Sequence, residues 1–160
     1  MPVEVERKFL VTSDAWREDA RGARFSQGYL CIGPECTVRI RRAGDQAFIT
    51  VKGRTEGMSR PEFEYEIPLD HAELMLAEQC MKPLIEKTRY EVDFAGKLWT
   101  VDVFEAENKG LVVAEIELAD PTEQVALPPW IGEEVTDDPR YRNSSLVSAP
   151  ITGSYESSDL

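Results

Sequence analysis

The sequence predicts a mainly β (α+β) fold, an antiparallel barrel or a strongly curved sheet with a few helices outside it, on three observations. Segment after segment alternates charged and apolar residues with period two, which is the spacing of a strand with one face of each kind. Compact turn-forming stretches, among them Gly33-Pro34-Glu35, Ala43-Gly44-Asp45 and Ala95-Gly96, separate neighbouring segments and make them antiparallel. Only three stretches carry helical signals.

The first strand, over 3–11, follows from Val3-Glu4-Val5-Glu6-Arg7-Lys8-Phe9-Leu10-Val11, which places Glu4, Glu6 and Lys8 on one face. Further strands are expected over 25–32, 36–42, 46–52, 60–67, 86–94, 97–104 and 111–119, eight in all, enough to close a barrel. Ser13 can cap a helix over 14–20. Asp70 with Glu73 resembles a capping box for a helix over 71–81, and Asp138-Pro139 opens one over 139–148. From Ala149 to Leu160 the chain is rich in Ser, Gly and acidic residues without periodicity, so 149–160 reads as a flexible tail to a domain spanning 1–148.

At 160 residues the chain suffices for one domain with a sizeable core. The net charge of -12 argues against tracking a nucleic acid backbone, which demands Lys and Arg against phosphates. No apolar run approaches a membrane span and Glu4 and Glu6 interrupt any leader, so no membrane association and a cytoplasmic location are expected. Cys31, Cys36 and Cys80 are odd in number and lack paired spacing, which argues against a disulfide framework or a zinc site. His71, the single histidine, sits at a helix start and reads as structural.

On an ordinary sheet the charged face is solvated. Here the signs are sorted by strand: Arg39 and Arg41 on the third, Lys52 on the fourth, Glu62, Glu64 and Glu66 on the fifth. Lys87 and Arg89 share a face of the sixth, Asp102 lies on the seventh, and Glu115 and Glu117 share a face of the eighth. Turned inward, these groups would surround one lumen, which water, ions or a highly charged ligand must fill because an isolated buried charge is prohibitively costly. Paired carboxylates suit a hard divalent cation, and arginines and lysines suit phosphate oxygens. Both sets together point to a metal-bound polyphosphate.

Glu4-x-Glu6-x-Lys8, Thr37-Val38-Arg39-Ile40-Arg41, Thr50-Val51-Lys52-Gly53, Glu62-Phe63-Glu64-Tyr65-Glu66-Ile67-Pro68, Glu86-Lys87-Thr88-Arg89-Tyr90 and Glu115-Ile116-Glu117-Leu118 resemble, in order, the motifs of the CYTH family, the triphosphate tunnel metalloenzymes. The similarity runs from about Val3 to Leu146 and is strongest to the short single-domain bacterial members. The resemblance implies an eight-stranded antiparallel tunnel with the charges inside. It also implies metal-dependent hydrolysis of triphosphate, foremost inorganic tripolyphosphate to pyrophosphate and phosphate, with nucleoside triphosphates as poorer substrates.

In that reading Lys8, Arg39, Arg41, Lys52, Lys87 and Arg89 bind the substrate. Glu4, Glu6 and Glu117 lead the metal ligands, with Glu62, Glu64, Asp102 and Glu115 assisting, and the cofactor is Mg²⁺ or Mn²⁺. Lys8, Lys87 and Tyr29 form the catalytic set. Tyr29 reads equally as an aromatic packed in its strand; by the resemblance it projects toward Lys87, as proton acceptor or as a selector between triphosphate and diphosphate. Arg54 and Arg60 flank a glycine-containing loop; they read as solvated, with a place guarding the tunnel mouth as the alternative. Open alternatives are an adenylyl cyclase or thiamine triphosphatase, a polyphosphate-binding module without chemistry, and an apolar carrier with charges outside. The expected partner is a small-molecule triphosphate, and the expected state is a monomer or homodimer.

Overall fold

The computed structural model describes residues 2–152. Nine strands are formed: β1 (Val3–Val11), β2 (Arg21–Ile32), β3 (Thr37–Ala43), β4 (Gln46–Lys52), β5 (Ser59–Ile67), β6 (Ile85–Phe94), β7 (Lys97–Phe104), β8 (Val112–Glu117) and β9 (Ile131–Glu134). They run in the order β5-β4-β3-β2-β6-β7-β8-β1-β9, and an added β5–β1 pairing closes the first eight into an antiparallel barrel. One edge of β1 lies along β8, from Glu6 opposite Glu117 to Leu10 opposite Val113. Its other edge is divided: Val3–Val5 pair with β5 and close the ring, while Phe9 and Val11 pair with β9.

The hairpins follow from the turn residues. At the β6–β7 turn Ala95 and Gly96 both have positive φ, 51° and 77°, as a two-residue turn matched to strand twist demands. The alternation then decides two surfaces at once. Outward side chains of β1, β6, β7 and β8, among them Val5, Phe9, Val92, Trp99 and Val101, form one core with Trp16 and Trp130 from the flanking segments. On the opposite wall the helix α1 (Leu69–Glu78) lays Ala72 and Leu76 over Ile40 and Ala47.

A third cluster stands inside the barrel. Ile85, Phe104 and Val113 lie two residues from Lys87, Asp102 and Glu115, on the same inward faces, and pack with Tyr29, Leu111 and with Leu146 and Val147 of a second short helix, α2 (Ser145–Ser148). One end of the lumen is therefore stoppered by apolar side chains. Ile151 packs on this plug and its amide donates to Asn108 Oδ1 at 2.9 Å, so the first part of the expected tail is docked; residues 153–160 lie outside the described residues.

Several local expectations are corrected. The helix expected over 14–20 is a single 3₁₀ turn, Ala15–Arg17, because its work is to bury Trp16 against Tyr90 rather than to present a helical face. The helix α1 starts earlier, at Leu69 after Pro68, without a side-chain cap, so Asp70 and Glu73 form no capping box. The segment expected as a helix over 139–148 is a 3₁₀ turn, Pro139–Tyr141, followed by the four residues of α2; Asp138 does cap the turn, accepting from the Arg140 amide. The strand β9 was not expected: four residues carry too little alternation, and only the free half of the β1 edge makes them a strand.

Trp99 has no exposed surface and packs on Phe9 and Trp130, with ring centroids 5.7 and 6.0 Å away. Trp99→Ala is expected to cost about 3–5 kcal/mol in urea unfolding. Trp99→Phe should cost clearly less, since the Trp99 Nε1 is buried without a partner and its loss relieves an unmet donor.

Candidate active site

The inward faces enclose a cavity of about 430 Å³, a size suited to a small molecule. Among the described residues nine cationic side chains line it (Lys8, Arg39, Arg41, Lys52, Arg60, Lys87, Arg89, Lys97 and Arg142) against six carboxylates (Glu4, Glu6, Glu62, Glu64, Glu115 and Glu117). A chain of net charge -12 thus encloses a lumen with an excess of cations. Strand register sets the juxtapositions: Lys8 lies opposite Glu115 across β1 and β8, Lys52 opposite Glu62 across β4 and β5, and Arg89 opposite Asp102 across β6 and β7.

The carboxylates meet in pairs. Lys52 Nζ lies 2.8 Å from Glu4 and 3.5 Å from Glu62. The hydrogen bond shared with Glu4, together with burial, pushes the Glu62 carboxyl up to about 7. Burial opposes ionisation of Glu4, but the Glu62 hydrogen bond and the Lys52 ammonium prevail and hold Glu4 below the usual carboxylate range. Glu6 and Glu115 form a second such pair. Burial and the charges of Glu115 and Glu4 push Glu6 well up, whereas Lys8 and Arg89 hold Glu115 down against its burial. In each pair one carboxyl is pushed up and the other held down, because two desolvated carboxylates in contact oppose each other's ionisation.

The cations crowd one another on the facing wall. Arg41 is pushed down to about 9 by burial and by the neighbouring Arg39 and Arg89. Its guanidinium and that of Arg89 lie 5.0 and 5.3 Å from the Phe25 ring centroid. Arg39 donates to Thr50 Oγ1 at 3.2 Å and approaches Glu64 at 3.6 Å, and its Nε is buried without a partner. Lys8 Nζ donates to the Tyr141 carbonyl at 3.2 Å; against its burial, the Glu115, Glu6 and Glu4 charges raise its pKa.

Asp102, expected among the metal ligands, does not line the cavity. It has no exposed surface, and its two oxygens accept from Lys87 Nζ at 2.7 Å and from Arg89 Nε and Nη2 at 2.7 and 2.9 Å. Both cations hold it well below the usual carboxylate range despite its burial. Lys87, 1% exposed, is pushed down to about 7 by burial, with Asp102 opposing and Arg89 and Arg41 reinforcing the shift.

Thirteen of the fourteen candidate residues, Asp102 excepted, line this one space, Tyr29 from its edge against the apolar plug. Arg60, expected to be solvated, also lines it, its guanidinium held on the Gly53 carbonyl at 2.9 and 3.1 Å, whereas Arg54 is exposed. Thr37, Thr50 and Gln27 were missed although they share inward faces with named residues. Arg142, Asn143 and Ser144 were missed because they stand on an irregular segment with no period to read.

A closed antiparallel barrel whose lumen sets a crowded cationic wall against paired oxygen donors defines a tunnel protein suited to a small polyanion. The chain belongs to the CYTH family: the model of the CYTH domain matches residues 2–148. It is 49% identical over 150 residues to an inorganic triphosphatase of Acetivibrio thermocellus, covering 94% of this chain and 96% of that one. An inorganic triphosphatase of Nitrosomonas europaea is 37% identical over 148 residues, with 90% and 96% covered. The crystal structure of an inorganic triphosphatase superposes with a TM-score of 0.67 at 31% identity, covering 92% of this chain and 99% of that one.

Asp102→Ala removes the counter-ion of a buried ammonium and is expected to destabilise the protein by about 3–5 kcal/mol. The midpoint of urea unfolding checks it. A cost near that of a surface ion pair, about 1 kcal/mol or less, would show that Lys87 finds another partner.

Proposed function

We propose that this chain hydrolyses inorganic triphosphate to pyrophosphate and phosphate with the help of a divalent cation. The observation that carries the reading is the pairing of opposed walls in one lumen: Arg39, Arg41, Lys87 and Arg89 line it against Glu4, Glu6, Glu62 and Glu115. The first wall suits an anion, and the oxygen donors of the second would suit a hard divalent cation. The relatives named as inorganic triphosphatases support the same substrate. Lining side chains with sizeable apolar surface are Tyr29, Met58 and Leu98, so the described wall favours a compact, fully charged substrate over one with a large organic group.

The donor set fits Mg²⁺ or Mn²⁺, since every candidate ligand is a carboxylate oxygen. We assign Glu4, Glu6 and Glu117 as leading ligands, with Glu62, Glu64 and Glu115 assisting. Among the described residues no three such donors already converge, as suits a cation that completes its shell with water and phosphate oxygens. When bound, the cation supplies charge neutralisation at the phosphate oxygens.

Lys8, Arg39, Arg41, Lys52, Lys87 and Arg89 hold the non-bridging oxygens and offset charge as the bridging P–O bond breaks, the electrostatic work that phosphoryl transfer chiefly demands. Lys8 and Lys87 flank the transferred group in this assignment, and Tyr29 hydrogen-bonds at the reacting oxygens. Asp102 orients Lys87 and Arg89 instead of binding metal. The tunnel domain is assigned to 1–148, and the match over residues 2–148 supports that boundary. Among the described residues no helix is long and apolar enough to cross a membrane. The three free cysteines support a reducing, cytoplasmic location.

Phosphate release should be measured with tripolyphosphate, pyrophosphate, ATP, GTP and thiamine triphosphate, each with Mg²⁺ and with Mn²⁺. Tripolyphosphate is expected to be the best substrate, EDTA to abolish turnover, and Glu4→Ala, Glu6→Ala and Lys8→Ala each to lower kcat by about a hundredfold or more. Cyclic AMP formed from ATP would select the cyclase reading, and full activity in all three variants would overturn the site.

A further inference from the structure

Two neutral amides stand among the lumen cations. Gln27, on the inward face of β2, has no exposed surface. Its Oε1 accepts from Arg41 Nε at 3.3 Å, and its Nε2 donates to Asn143 Oδ1 at 2.7 Å. The same Asn143 oxygen accepts from Lys87 Nζ at 2.9 Å. Arg41 and Lys87 are pure donors, so the two amides have one consistent orientation, with an oxygen toward each cation. A continuous chain results: Arg41, Gln27, Asn143, Lys87, Asp102, Arg89. It joins β3, β2, the segment before α2, β6 and β7.

The Lys87 ammonium has three protons. One goes to Asp102 at 2.7 Å and one to Asn143, which leaves a single proton uncommitted beside the cavity. Asn143 is itself held in place, because Leu146 and Val147 just after it are buried in the plug with Ile85 and Phe104. The amide chemistry matters as much as the position. A carboxylate at either site would make the same bond to the cation more strongly and cancel the charge that an incoming phosphate needs. An apolar side chain would leave a buried cation one acceptor short and free to turn away.

We propose that Gln27 and Asn143 are positioning residues for the triphosphatase reaction, a neutral bridge that aims Arg41 and Lys87 at the substrate without adding a carboxylate to the one, Asp102, that Lys87 already has. The inference rests on the functional reading above. The bridge makes the wall selective for a polyanion through what it omits: two acceptors hold the cations without supplying any counter-ion beyond Asp102.

The test compares Asn143→Ala, Asn143→Asp, Gln27→Met and Gln27→Glu in steady-state hydrolysis of tripolyphosphate, with thermal unfolding of each variant measured alongside. Asn143→Ala and Gln27→Met should lower kcat, by up to about a hundredfold, as a misplaced phosphate contact does. Asn143→Asp and Gln27→Glu should recover most of kcat but raise KM by about tenfold or more, because the new charge opposes the substrate. A purely structural role predicts no such division between kcat and KM. Neutral and acidic variants that behave alike, or values all within twofold of the parent, overturn the bridge; should one position fail to fold, the other supplies the same contrast. If the parent protein releases no phosphate from tripolyphosphate, the functional reading fails by itself. The bridge is then decided by calorimetric binding of tripolyphosphate, where weaker binding by the acidic variants alone supports it and equal affinities reject it.

Discussion

Asp102 accepts three hydrogen bonds from Lys87 and Arg89 at the bottom of a lumen otherwise crowded with cations, and the rest of the interior is arranged around keeping those ions where water is scarce. A buried ammonium without a partner costs several kcal/mol, so the position of one carboxylate fixes two phosphate-binding candidates. Arg41 then has to be held without a carboxylate of its own that deep in the barrel, and Gln27 does this as a neutral acceptor. Arg39 donates to Thr50 and also approaches Glu64. The result is an interior with polar order but unspent positive charge.

Turning charged faces inward leaves the apolar faces outside, and the molecule is dressed accordingly. Trp16 on its 3₁₀ turn, Trp130 before β9 and the helix α1 each cover a stretch of outer wall that an ordinary barrel would use as its core. The same inward alternation that places Lys87, Asp102 and Glu115 places Ile85, Phe104 and Val113 at one end, where α2 completes a plug. Charge and stopper therefore share strands and register. A one-residue slip would exchange both with the outer coat.

Much of this was legible. The period of two located all eight barrel strands, and the sorting of signs by strand, with the family resemblance, turned the charged faces inward. Failures fell where local pattern carries no information. A 3₁₀ turn that buries a tryptophan looks in sequence like the first turn of a helix, and β9 becomes a strand only because β1 offers it half an edge. For Arg60 the less favoured reading, a place at the tunnel mouth, is the one that fits: its contact is a backbone carbonyl, that of Gly53, which leaves no trace in side-chain spacing. Asp102 was given the role of its type; its burial under two cations is a property of neighbouring strands.

The sequence by itself determined which side chains share a face, because a strand alternates whatever it is packed against. It also determined the order of charged strands and, through their motifs, the family. Only the tertiary structure decided which carboxylates meet as pairs, which one is withdrawn beneath the cations, and which residues from an aperiodic segment enter the lumen. Those outcomes depend on ring closure and cross-strand register, which bring Glu4 to Lys52 and Asn143 to Lys87 from distant parts of the chain.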